Sequence, residues 1–213
     1  VAGQDGSYLA ELLLGRGWTV HGVSKPGGTP EPVNPLVEQH ETDLSDHRAA
    51  TALITETAPD YVFHLAGISS VWKSWNDPVL TTRVNGVSAA ALLDACFTQQ
   101  EASGKRIVLI NASSAEIFAG SGVSLQSETT RIAPTSPYGA SKALSHHMVD
   151  VYRSRGLEQP MPFSTTTSHR GGRIRSSPGR SARPRSPSLE GTSPRSNSAT
   201  SLPCAIGAGP RTM

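Results

Sequence analysis

Residues 2–23 read AGQDGSYLAELLLGRGWTVHGV, and no other stretch says as much about the fold. It opens on a glycine turn, Gly3-Gln4-Asp5-Gly6, that runs straight into helical spacing: Leu9, Leu12 and Leu13 share one face of residues 7–16. Gly15 and Gly17 can end that helix. Residues 18–23 then form a short run suited to a strand. A glycine turn at a helix N-terminus lets the backbone approach a pyrophosphate, and the helix dipole favours the negative charge. The full fingerprint also needs a preceding strand and one more glycine, and both would lie before Val1.

Downstream, a Pro/Gly loop over 25–35 leads to a weaker strand over 36–44 that ends near Asp43. Residues 46–57 read as a helix with Asp46 at its start. Residues 61–66 (YVFHLA) and 106–112 (RIVLINA) read as buried strands, with a long helix within 78–97 between them. Residues 136–155 read as a last helix, with Pro137 in its first turn. This alternation predicts an α/β fold, a doubly wound parallel sheet of Rossmann-like type. The sheet is expected to lack its first, central strand, which would leave two strand edges unpaired.

The chain has 213 residues, of which 36% are hydrophobic, below the usual ~45–50%. A net charge of +2 hides a split: residues 1–157 carry 11 Lys/Arg against 15 Asp/Glu, and residues 158–213 carry 8 Arg against 2 Glu. That tail also holds 11 Ser and 8 Pro but one aromatic residue, Phe163. So few large apolar groups cannot offset the chain entropy of folding, and residues 158–213 are expected to be disordered beside a domain at 1–157. No apolar run reaches ~18 residues, so no membrane segment is expected, and no secretory leader opens the chain. Cys96 and Cys204 cannot make a disulfide framework, which suits a reducing, cytoplasmic setting. The histidines lack ligand spacing, so no metal is expected. The basic tail raises a non-catalytic, nucleic-acid-binding reading, but without Lys or interleaved aromatics no nucleic-acid partner is expected.

Two clusters carry chemistry. Tyr138 and Lys142 stand four apart on the last helix, so they share a face. An ammonium beside a phenol favours the phenolate, which can act as a base on a sugar hydroxyl. Residues 111–118 (NASSAEIF) leave the end of a strand, where doubly wound sheets bind ligands. Ser113, Ser114 and Glu116 there offer hydroxyls and a carboxylate.

Taken together, residues 2–23, DLSD (43–46), DYVFHLAG (60–67), NASSAEIF and SPYGASK (136–142) resemble the extended short-chain dehydrogenase/reductase family, and within it the GDP-mannose 4,6-dehydratases. The resemblance implies that Gly3 and Gly6 wrap the cofactor pyrophosphate and that Lys25 lies near the adenosine ribose. With no acidic residue ending that strand, it favours NADP over NAD. It implies that Asp43 and Leu44 flank the adenine, and that Leu65, Ala66 and Gly67 line the cofactor path. Tyr138, helped by Lys142, would deprotonate the mannose 4-hydroxyl, and Glu116 would take the C5 proton and assist loss of water from C6. The implied substrate is GDP-mannose and the implied state a homo-oligomer. Ser114 stands where Thr is usual, and Gly67-Ile68 where Ala-Gln is usual. Ser114-Ala115-Glu116 also resembles the GDP-4-keto-6-deoxymannose reductases, the second reading beside a nucleotide-sugar epimerase.

The resemblance stops near Leu157. Residues 160–181, back-translated with permitted codons and read in another frame, allow NAILYNHESPRRPDSFVTRKI, the string the family carries next. Residues 198–213 in the same frame allow GNLSAVRDWGWAPDY. The chain is therefore expected to be a fragment with a frameshift near residues 157–160, and to have little activity as it stands.

Overall fold

The computed structural model describes residues 1, 3–27, 33–158 and 204–208. Among these residues five strands form one sheet: β1 (Thr19–Ser24), β2 (Glu38–Glu41), β3 (Tyr61–His64), β4 (Val108–Asn111) and β5 (Cys204–Ala208), in the order β2-β1-β5-β3-β4. The pairs β1–β2 and β3–β4 are parallel, as helix-joined strands must be. β5 runs antiparallel to both neighbours, with Val23 opposite Cys204 and Tyr61 opposite Gly207. The α-helices of the described residues are α1 (Gln4–Leu14), α2 (His47–Thr57), α3 (Val71–Asn76), α4 (Pro78–Thr82), α5 (Ser88–Ser103) and α6 (Pro137–Ser154).

Two expectations need correction. The edges of β1 and β3 are not unpaired, because β5 occupies the central place in the order. Nor is all of the tail without structure, since β5 comes from within it. An apolar pentapeptide, CAIGA, can satisfy two rows of strand N–H and C=O groups at once, so local composition is overridden by pairing. The expected disorder of residues 159–203 and 209–213 lies outside the described residues.

The two faces of the sheet are covered differently. α2, α5 and α6 pack on one face around Leu53, Ile54, Val62, Leu92, Leu93, Cys96, Leu109 and Val149. Burying each such side chain contributes roughly 1.5–3 kcal/mol. Asp94 ties the three helices: its carboxylate accepts from Tyr152 Oη at 2.8 Å and pairs with His47 Nε2 at 2.7 Å. On the other face α1 packs Ala10 and Leu13 against Val20 and Val37, with Phe63 and Trp18 beside them.

Helix starts follow local chemistry. Asp46 caps α2 through Arg48 N and Ala49 N, and Ser136 caps α6 through Gly139 N, with Pro137 in the first turn. The long helix read within 78–97 is instead α4, a π-helical turn at Arg83–Val87, and α5. The fully buried Asn85 lies in that turn.

Candidate active site

The candidate residues gather at the C-terminal ends of the strands. Tyr138 and Lys142 sit one turn apart on α6 and are 8% and 6% exposed. Lys142 Nζ donates to the Ala112 carbonyl just beyond β4, at 3.0 Å. Burial lowers the lysine pKa to about 8. Charging it costs desolvation, yet it remains mostly protonated at neutral pH.

Glu116 lies in a 3₁₀ turn at Ala115–Phe118, and the Ser114 hydroxyl accepts from Glu116 N at 3.3 Å to start that turn. The turn reaches α6 beside Tyr138: a Cβ on Gly139 would stand 2.7 Å from the Glu116 carbonyl oxygen. Only glycine permits this approach, which joins the Glu116 segment to the Tyr138 turn. Gly67 is equally constrained, because a Cβ there would meet Asn85 Oδ1 at 2.9 Å and Lys142 Nζ at 3.6 Å. Leu65, Ala66 and Gly67 therefore follow β3 into the neighbourhood of the buried ammonium.

The remaining candidates lie along the same end of the sheet. Gly3 is the N-cap of α1 and supplies no side-chain cap, so the first N–H groups of that helix are open to an anion. Gly6 is buried in the first turn. Lys25 follows β1. Asp43 accepts from Ser45 N at 3.0 Å and Ser45 Oγ at 2.7 Å. Those bonds lower its pKa first, with smaller contributions in the same direction from the nearby Lys25 and Arg83 cations. Leu44 is buried in the core under α2.

The structure adds residues that motif reading missed. Asn85 accepts from Ile68 N at 2.8 Å and donates to Ile68 O and to Ser141 Oγ at 3.1 and 3.0 Å. Ser141 Oγ donates to the Tyr138 carbonyl at 2.7 Å. His64 is 1% exposed and contacts Asn111 Oδ1 at 2.7 Å and Ser88 Oγ at 3.2 Å. A polar residue inside an otherwise apolar strand or helix was the available signal for both. Among the described residues no group of three or more His, Cys, Asp or Glu is placed to hold a metal.

An uncapped helix N-terminus, a buried ammonium and a carboxylate-bearing turn at one end of the sheet are the setting of a dinucleotide enzyme. The model of the GDP-mannose 4,6 dehydratase family matches residues 1–175. The chain belongs to this family. GDP-mannose 4,6 dehydratase 2 of Arabidopsis thaliana is 37% identical over 166 residues, covering 72% of this chain and 44% of that protein. GDP-mannose 4,6-dehydratase of Vibrio cholerae is 32% identical over 165 residues, with the same two coverages of 72% and 44%. The chain thus spans less than half the length of these dehydratases. Among solved structures, Thermus thermophilus UDP-glucose 4-epimerase in complex with NAD is 34% identical with a TM-score of 0.65, over 75% of this chain and 51% of that one. Thermotoga maritima UDP-glucose 4-epimerase with UDP-glucose is 26% identical with a TM-score of 0.67, over 75% and 52%. The fold shared with these epimerase structures is Rossmann-like, as the sequence predicted. No helix among the described residues is long and apolar enough to cross a membrane.

Proposed function

We propose that residues 1–157 are the dinucleotide-binding and catalytic half of a nucleotide-sugar 4,6-dehydratase whose substrate is GDP-mannose and whose recycled cofactor is NADP. The observation that carries this reading is the convergence on α6: buried Lys142, Tyr138 on the same face, and the Glu116 carbonyl packed onto Gly139 between them.

The residues present fit a dinucleotide. Ser113 Oγ is buried at the end of β4 without a hydrogen-bond partner, which suits a polar ligand arriving there. The open N–H groups of α1 suit a pyrophosphate. Lys25 and Arg83 near Asp43 place two cations where an added 2′-phosphate would be welcome, which supports NADP. The solved epimerases in complex with NAD support a nicotinamide cofactor in general.

The nicotinamide, when bound, supplies the oxidation at sugar C4 and the later reduction at C6, so it is unchanged overall. The chain's own residues handle protons. Tyr138 takes the 4-hydroxyl proton, and the ammonium of Lys142 offsets the negative charge the phenolate carries. Ser114 donates to the developing C4 oxygen. Glu116 removes the C5 proton, acidified by the adjacent ketone, and delivers a proton to the departing C6 hydroxyl, which leaves as water.

The chain alone is expected to turn over GDP-mannose slowly or not at all, because residues 158–213 do not resemble the sugar-nucleotide region of the family. We read that tail as translation in a second frame, and the nucleotides beneath residues 164–169 test it by spelling YNHES or failing to. Function is tested by titrating the full chain with NADPH and NADH and following nicotinamide fluorescence. Saturable binding that favours NADPH and weakens in Lys142→Met and Lys25→Ala supports the proposal; no binding of either nucleotide overturns it.

A further inference from the structure

Lys142 is held at both ends by two consecutive residues. Its Nζ donates to the Ala112 carbonyl at 3.0 Å. Its backbone carbonyl accepts from Ser145 Oγ at 2.9 Å, and Ser145 Oγ in turn accepts from Asn111 Nδ2 at 3.4 Å. Asn111 can turn its nitrogen toward Ser145 only if its oxygen points the other way. That oxygen meets His64 Nδ1 at 2.7 Å. An acceptor there requires a proton on Nδ1, which leaves Nε2 bare and facing Ser88 Oγ at 3.2 Å. The single hydroxyl proton of Ser88 is divided between Nε2 and the Val84 carbonyl in the π-helical turn, so the imidazole spans β3, β4 and the start of α5.

The state of the ring is set by its surroundings. His64 is buried, and its pKa falls to about 4, first through desolvation and then through the charge of Lys142. The Asn111 hydrogen bond opposes this only in part. At neutral pH the ring is uncharged, and one tautomer satisfies Asn111.

We propose that His64 is a positioning residue for Lys142: as the Nδ1–H tautomer it orients the Asn111 amide, so that Asn111 and Ala112 grip the lysine by its backbone and its tip. The inference rests on the proposed function only for what Lys142 is used for. It differs from the motif reading, which places Tyr138 and Lys142 together but assigns nothing to the strand beneath them.

The test uses the full chain and does not require turnover. The sequence has four lysines, Lys25, Lys73, Lys105 and Lys142, so acetic anhydride labelling read by peptide mass spectrometry follows Lys142 with three internal controls. In the unaltered chain Lys142 titrates near the depressed value of about 8. In His64→Leu the Asn111 oxygen loses its donor, and Lys142 labelling rises by roughly 3- to 10-fold relative to the controls. His64→Gln, whose amide can reach the same oxygen, restores the slow labelling. Asn111→Asp keeps an acceptor for His64 but has no N–H for Ser145, and it too releases Lys142. Unchanged Lys142 labelling in a folded His64→Leu with a lowered Tm makes the role merely structural and overturns the proposal. Should the variants fail to fold, ¹⁵N spectra of the unaltered chain decide: at pH 7 the His64 proton must sit on Nδ1, and a proton on Nε2 overturns it. If the labelling behaves as stated while Lys142→Met leaves NADPH binding intact, the positioning holds and the proposed function fails.

Discussion

The two faces of the sheet share the same strands but not the same construction. On one face three helices, α2, α5 and α6, enclose a large core and are tied together at Asp94. That face also carries a buried polar set, His64, Asn85, Asn111, Ser141 and Ser145, each with a hydrogen-bond partner. On the other face α1 packs a smaller and wholly apolar cluster, and the rings of Trp18, Tyr61 and Phe63 line up only half-buried. Apolar packing alone suffices to seat a helix, because its demands are on volume and not on direction. Seating a charged lysine needs direction as well, and fixed hydrogen bonds supply it. The precision of the site therefore comes from the polar layer of the deep face.

The largest effect should come from β5, which joins the two parallel pairs. Deleting residues 204–213 should abolish cooperative unfolding and drive aggregation, because it bares the edges of β1 and β3 together. Circular dichroism and light scattering would show it, and an intact sharp transition would mean the two strand pairs stand without a joint. Next, Leu92→Ala on the deep face should cost about 3–5 kcal/mol in urea unfolding, and Leu13→Ala on the α1 face about 2 kcal/mol. Both should shift a single transition; two separate transitions would contradict one unit spanning both faces.

Acid titration probes the polar layer directly. The unfolded His64 binds a proton near pH 6.5 and the folded one near 4, so stability falls as pH drops through that window, by on the order of 3 kcal/mol. His21 and His146 are also lowered by burial and add in the same direction, so the quantity to read is the slope lost in His64→Gln. The same rule holds on the alkaline side. Between about 8 and 10.5 only the unfolded Lys142 holds its proton, so stability again rises with pH. The smallest effect is Asp94→Ala, which removes the shared acceptor of Tyr152 and His47 and should cost about 1–2 kcal/mol by thermal melt.

Much of this was legible in the sequence because it rests on local signals. The alternation of strand and helix, the Asp46 cap, the Pro137 start and the shared face of Tyr138 and Lys142 are all set by neighbours within a few residues. What escaped was set by distant ones. Asn85 looks like an ordinary polar residue in a helix until the π turn aims it at Ile68 and Ser141. His64 looks like a core histidine until β4 and α5 arrive on either side. Residues 204–208 gain meaning from two strand edges more than a hundred residues away, which no window along the chain can report.

The π turn at Arg83–Val87 carries one residue more than a regular helix needs, and this makes it hard to remove. Excising a single residue there would straighten the rod but spin everything downstream by about 100°. Leu92, Leu93 and Cys96 would swing from the interior toward water, and Ser88 would leave His64. The irregularity therefore acts as a ratchet: once an insertion has been absorbed and the following helix packed in its new phase, simple deletion cannot restore the original without dismantling the core.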